Sequence, residues 1–337
     1  MKAWGLFLSL ILFCAGCAMP PERPASSSRY GGPPLPSPEN FDRASLEMIR
    51  GTFSAGRQPD GNTVVLASAD GLIVFDTGRH AAHTQKIIDL AEARGQPVVA
   101  IINSHWHLDH ISGNIALRER WPAAVVYAND DALTEALGSF LARGLEANRK
   151  SIADPATPAG LAEDLRGDIA TVEQGEKLHP DVSLTSNRVV DTGGRKLELR
   201  AAKAASAGDI WLYDDATRLV ASGDLVTLPA PFLDTACPKE WRTALDHILA
   251  TPFKRLIPGH GRELARADVM RYRTAFIALL ECADGDMPAA ACAEAWAVAA
   301  VPLLDAQSGT KADAAAYAQY YVESVLRAGK TRADCPA

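Results

Sequence analysis

The chain has no dense basic run, no internal repeat and no GxSxG turn, and none of the four cysteines beyond Cys17 is in CxxC spacing. Each absence closes off a class of function. Without a basic run, and with a net charge of -7, it does not read as a general nucleic-acid binder. Without that spacing the later cysteines form no zinc knuckle, and without GxSxG there is no serine nucleophile elbow. What is present is ordinary for a soluble globular protein: 337 residues, 47% hydrophobic and 22% charged. That length permits two domains, although α/β and sandwich enzymes often run to about 200–300 residues as one unit.

The N-terminus reads as a targeting segment. One Lys precedes an apolar run from Ala3 to Ala15 that is too short to span a bilayer, and small residues surround Cys17. The ending "CAGC" resembles a bacterial lipobox, with Cys14 standing where that motif carries Leu. Residues 1–17 are therefore expected to be a lipoprotein-type signal with Cys17 lipidated. Cleavage near Ala18 by the ordinary signal peptidase is the alternative. Residues 18–44 are rich in Pro, Ser and Gly and have little to bury, which predicts a disordered tether. The implied location is the periplasmic side of a bacterial membrane, with the lipid anchor as the sole membrane contact. Export places four further cysteines in an oxidising compartment, where two disulfides have three connectivities. Cys282 and Cys292 flank a turn-like segment and are the favoured pair, with Cys237 and Cys335 as the remainder.

Further along, "NTVVLASADGLIVFDTG" (62–78) reads as a hairpin around its "DG" turn. Helical spacing over 83–95 ends in a Gly stop. "PVVAIINS" (97–104) is a buried strand and "AAVVYAN" (123–129) another. A polar, helix-leaning insert covers 130–176, strands resume between 183 and 260, and the chain beyond Arg262 is Ala-rich and mainly helical. The order of strands and helices predicts a layered α/β protein with mixed sheets.

"SHWHLDH" (104–110) then gathers three of the eight histidines, with an aspartate, where a buried strand gives way to a loop. His105 and His107, two apart on an extended backbone, point the same way. Asp109 and His110 turn with the chain toward a second point nearby. Imidazole and carboxylate suit Zn²⁺ and related divalent ions.

HxHxDH behind a buried strand resembles the signature of the metallo-β-lactamase fold superfamily, and "FDTG" (Asp76), "ASGDL" (Asp224) and "IPGHG" (His260) follow in the right order. The resemblance implies a four-layer αββα sandwich over 45–265, with a C-terminal helical extension over 266–337 packed on it. It implies a metallohydrolase acting on a small-molecule ester, lactam, lactone or thioester by attack of metal-bound hydroxide, which Asp109 orients. One zinc would be held by Asp109, His110 and His260, with Asp224 shared and Asp76 supporting the loop. The other would be held by His105, His107 and Asp224. The family's stretch like "HTPGD" reads "ASAGD" here, so Ala205 stands where a further histidine is expected. One tight and one weak zinc follow. A non-catalytic metal-binding protein on the same fold is the rival reading, and an oxygen-activating iron enzyme is a third.

The other singled-out side chains read as structural. His80 and His83 open a helix, His179 lies in a loop and His247 on an outer helix. Lys203 is solvated, Trp106 packs beside the site, and Tyr317, Tyr320 and Tyr321 pack along one helix.

Overall fold

Alternation along the strands builds two sheets with a core on each of their faces. In β2 (Thr63–Ala67), Val64 and Leu66 enter one core while Val65 and Ala67 enter another. β3 (Leu72–Phe75) repeats this, with Ile73 and Phe75 on one side and Leu72 and Val74 on the other. Strands buried on both faces read as continuous apolar runs, which is how these segments appear in the sequence. The computed structural model describes residues 45–54 and 56–330. The segments read as signal and tether, and Cys335, lie outside the described residues.

The first sheet runs in chain order: β1 (Leu46–Ile49), β2, β3, β4 (Val98–Ile102), β5 (Val125–Ala128) and β6 (Val182–Ser183). Its first three strands are antiparallel and the rest parallel. The parallel pairs are joined through helices, as parallel neighbours must be: α1 (Ala81–Ala93), α2 (Leu108–Ile111) with α3 (Asn114–Arg120), and α4 (Asp130–Gly138), α5 (Phe140–Ala153) and α6 (Ala159–Val172). The last three form the insert expected at 130–176.

The second sheet contains β7 (Arg188–Thr192), β8 (Arg195–Ala202), β9 (Asp209–Asp214), β10 (Leu219–Ala221), β11 (Arg255–Ile257) and β12 (Leu264–Ala265), in that spatial order. Only β10 and β11 are parallel, linked through α7 (Pro238–Ala250). The inner faces meet in a shared core that includes Leu66, Phe75 and Ile102 from one sheet and Leu199, Leu212 and Ile257 from the other. Ile87 and Ala91 of α1 and Leu117 of α3 cover the outer face of the first sheet.

Outside the second sheet lie α7 and the helices α8 (Arg266–Asp284), α9 (Ala289–Ala300) and α10 (Lys311–Tyr321). Trp241 of α7, Phe276 of α8, Trp296 of α9 and Tyr321 of α10 share one core with Trp211 and Tyr213 of β9. The architecture is thus an αββα sandwich whose last layer includes the C-terminal helices. A Cys282–Cys292 disulfide joins α8 to α9, with Cα atoms 5.7 Å apart. Cys237, which precedes α7, is also disulfide-bonded.

Candidate metal centre

Strand ends from both sheets converge at one edge of the sandwich. Asp76 follows β3, Ser104 to His110 follow β4, Asp224 follows β10 and His260 follows β11. Asp76 adopts a positive φ of 60°, uncommon for a non-glycine residue, and is fully buried. Its carboxylate accepts from the Ser104 backbone N–H and hydroxyl, both at 2.7 Å, and from His110 Nδ1 at 2.9 Å. The unusual backbone thereby aims one side chain at three groups of the following loop.

Hydrogen bonds fix the protonated nitrogen of His105, His107 and His110. Ser104 Oγ gives its proton to Asp76, so at 2.9 Å it accepts from His105 Nδ1, leaving His105 Nε2 as a lone pair. His110 Nδ1 donates to Asp76, which frees its Nε2. Thr235 Oγ1 donates to the Ala205 carbonyl at 2.8 Å and therefore accepts from His107 Nε2 at 2.9 Å. Nδ1 is then the unprotonated nitrogen of His107. A second partner that sets the tautomer in this way is the usual arrangement around a metal-ligating histidine.

The freed atoms face one another. Asp224 Oδ1 lies 3.4 Å from His110 Nε2 and 3.6 Å from His260 Nε2, and Asp224 Oδ2 lies 3.8 Å from His105 Nε2. Asp109 Oδ2 lies 3.0 Å from His260 Nε2 and 3.6 Å from His110 Nε2. The Nε2 atoms of His105, His110 and His260 and both oxygens of Asp224 are buried without hydrogen-bond partners. Such orphans are costly unless something satisfies them. Ligands about 2.1 Å from a tetrahedral zinc lie roughly 3.4 Å from each other, so this spacing suits an ion of that kind. Two groups of ligand atoms result, His105–His107–Asp224 and Asp109–His110–His260, each within 4.8 Å internally. Asp224 has one oxygen toward each.

Glycine permits the close approach. A Cβ at Gly259 would stand 1.9 Å from Asp224 Oδ1, so any side chain there would displace the carboxylate. The neighbouring turn is pinned by Asn62, whose amide donates to the Pro258 and Gly261 carbonyls.

Electrostatics point the same way. Burial pushes the His105 imidazole well below its usual pKa, helped by His110, and takes His107 down to about 4 against the pull of Asp109 and Asp224. Burial also opposes charge on His110, but Asp224, Asp109 and Asp76 outweigh it and hold that ring well above its usual value. Asp224 and Asp109 are held low despite burial, chiefly by His110. The cluster therefore calls for positive charge at its centre.

The family model described as the metallo-beta-lactamase superfamily matches residues 56–260. The chain belongs to that superfamily. Among curated proteins it is similar to a hydroxyacylglutathione hydrolase of Gloeobacter violaceus, 42% identical over 65 residues, which are 17% of this chain and 26% of the relative. The corresponding protein of a Synechococcus species is 42% identical over 45 residues, 13% of this chain and 18% of the relative. The chain therefore spans about a quarter or less of the curated relatives it matches. A metallo-beta-lactamase from Pontibacter korlensis shares the fold at a TM-score of 0.53 and 17% identity, covering 69% of this chain and 95% of that one. A sec-alkylsulfatase from Pseudomonas sp. does so at 0.54 and 17%, covering 79% and 47%.

Ala205 is fully buried, and its carbonyl is tied to His107 through Thr235. Ala205, where the sequence resemblance leads one to expect a further histidine, thus lies beside the His105–His107 group. Lys203 is exposed, as expected. Some expectations change. Tyr317 and Tyr321 do more than pack: both line, with Asp313 of the same helix, a cavity of about 750 Å³ that also borders His107 and Asp109. Trp106 packs beside the site and lines the cavity as well. His80 does precede α1, yet its ring also bridges Asp60 and Asp164 at 2.8 and 3.0 Å. Arg79 and Thr235 carried no sequence signal. Arg79 pairs with Asp168 and lies 3.6 Å from Asp109 Oδ1.

Proposed function

We propose that the protein hydrolyses an ester, lactam, lactone or thioester bond of a small-molecule substrate at a divalent-metal centre. The observation that carries this reading is the orientation of His105, His107 and His110: their protons are held by outside partners while lone pairs gather around Asp224 beneath an open cavity. His105, His107, Asp109, His110, Asp224 and His260 would hold the metal, with zinc the ion that suits their donor set. A divalent ion bound there supplies Lewis-acid polarisation of a carbonyl and water of near-neutral pKa. Asp109 orients the attacking water by accepting its hydrogen bond, and Arg79 holds the far side of that carboxylate. Superfamily membership supports hydrolysis as the reaction type. The test is elemental analysis of protein purified without added metal, paired with an ester, lactone, thioester and β-lactam panel. Iron in place of zinc would favour the oxygen-activating reading. Bound zinc with no turnover across the panel would favour a metal-binding protein, the reading that Ala205 supports.

We further propose that the enzyme works outside the cytoplasm, tethered through lipid on Cys17. The Cys282–Cys292 disulfide supports an oxidising compartment. Mass spectrometry of the mature protein should find a lipidated Cys17, and an unmodified terminus at Ala18 would defeat the proposal.

A further inference from the structure

The cavity over the metal centre is walled by aromatic rings that begin at the ligands themselves. On one side Phe232 sits 5.7 Å from His260, Tyr317 sits 6.3 Å from Phe232, and Phe53 sits 5.9 Å from Tyr317, all between ring centroids. On the other, Trp106 lies 4.4 Å from His107 and Phe140 lies 5.4 Å from Trp106. Both walls bound the same 750 Å³ space, a volume that suits a whole small-molecule substrate. Phe140 and Tyr317 remain 43% and 37% exposed, large areas of ring that water covers until something apolar displaces it.

The charges of the wall are already matched. Arg57 pairs with Asp164 at 2.5 Å, and Arg79 pairs with Asp168 and lies beside Asp109. These two arginines are the cationic side chains of the lining, which carries four aspartates: Asp109, Asp168, Asp234 and Asp313. Asp234 accepts from the Tyr320 hydroxyl and Asp313 caps α10. A carboxylate on a substrate, away from the metals, would lose its water and meet no uncommitted cation among the described residues there.

From this cavity, and resting on the hydrolytic reading above, we infer that the substrate is a neutral ester or lactone with a bulky apolar group beside the scissile carbonyl. Carboxylate-bearing substrates such as β-lactams and glutathione thioesters are disfavoured. The apolar group lies between the Phe232–Tyr317 and Trp106–Phe140 walls, and the carbonyl faces His107 and Asp109.

The experiment uses the zinc-loaded full chain and two independent arms. The first measures kcat/KM for p-nitrophenyl esters from acetate to octanoate, and for an ester ending in a carboxylate. The expected result is a rise of at least ~10-fold along the series, since each methylene taken from water is worth about 4-fold, with a loss of at least ~10-fold for the carboxylate. Phe232→Ala should flatten the series. The second arm needs no turnover: neutral N-phenyl-1-naphthylamine should bind at least ~10-fold more tightly than its anionic sulfonate analogue, and Phe232→Ala should weaken it. Turnover that ignores chain length, or prefers the carboxylate, overturns the substrate inference and leaves hydrolysis standing. Absence of all turnover, here and across the ester, lactone, thioester and β-lactam panel, overturns the hydrolytic reading, and the probe arm then decides the cavity's preference alone. Equal binding of both probes overturns that preference.

Discussion

The two groups of ligands share Asp224 but are supported differently. Asp109, His110 and His260 are all buried, and each has a brace: Arg79 beside Asp109, Asp76 beneath His110, and Asn62 pinning the turn of His260. His105, His107 and Asp224 form the thinner side. His107 is only partly buried, its outer nitrogen rests on Thr235, and a fully buried alanine stands where the superfamily pattern expects a histidine. Yet the tautomers of His105 and His107 remain fixed by Ser104 and Thr235. With alanine at that position the orientation of the other ligands is still fixed, which is what use of three protein ligands would require.

Removing a ligand from the better-braced side gives the largest effect. Asp109→Ala or His260→Ala should abolish tight metal binding and lower hydrolysis by at least ~100-fold, beyond what loss of a mere supporting partner costs. The fold should survive, because the sheet cores lie apart from these side chains. Metal content, turnover and circular dichroism together check this. Wild-type metal content in either variant would mean that the tight ion is held elsewhere.

Restoring the absent ligand should come next in size. Ala205→His should tighten the second metal by at least ~10-fold, read by zinc titration against a competing chelator. The site is fully buried and Thr235 lies against it, so overpacking should cost about 1–3 kcal/mol of stability. Unchanged affinity would mean that the residue-205 side chain points away from the metals. A tighter second metal at an unchanged rate would mean that one ion suffices.

How far the sequence discloses this site follows from how each residue was recruited. His105, His107, Asp109 and His110 lie within six positions, and Asp224 and His260 sit in short turn motifs, so chain order reveals them. The hairpin at β2–β3, the buried β4 and the insert helices were legible for a similar reason: their periodicity is local. Thr235 and Arg79 were not, because their contacts span 128 and 89 positions, to His107 and Asp168 respectively. A threonine or arginine carries no local pattern that marks such a contact. Tyr317 and Tyr321 read as packing alone because helical spacing cannot say whether an aromatic stripe faces a core or a cavity. The closure of the last layer by α8, α9 and α10 is what turned them toward the metals.

A subtler change separates the two sides without touching a ligand. Thr235→Val keeps shape but removes the hydroxyl that fixes His107, and should weaken metal at the His105–His107–Asp224 group by about 10-fold. The Asp109–His110–His260 group should keep its affinity, since among the described residues the Thr235 hydroxyl bonds only to His107 and the Ala205 carbonyl. Equal weakening of both ions in a chelator titration would make Thr235 a structural support of the whole centre.

The smallest expected effect concerns the outer brace of the Asp109 side, and it depends on pH. Asp60 accepts from the backbone N–H groups of Arg79 and His80 at 2.8 and 2.9 Å, while the His80 ring joins Asp60 to Asp164. The bond to Asp60 raises the His80 pKa, and the same bond, against burial, lowers Asp60 to about 2. A raised histidine favours folding fully below its unfolded value of about 6.5, and that contribution fades as pH climbs through the folded value. A lowered aspartate favours folding above about 3.9, and its share is lost as pH falls through about 2. Between those limits both contribute. His80→Gln should therefore cost about 0.5–1 kcal/mol near pH 6, modest because the ring is partly exposed, and less near pH 9. Urea midpoints at the two pH values provide the measurement, and an equal loss at both would mean that the ring acts by packing rather than by charge. Because the brace holds the backbone of Arg79, the variant should also loosen metal bound at Asp109 while leaving the Thr235 side unchanged.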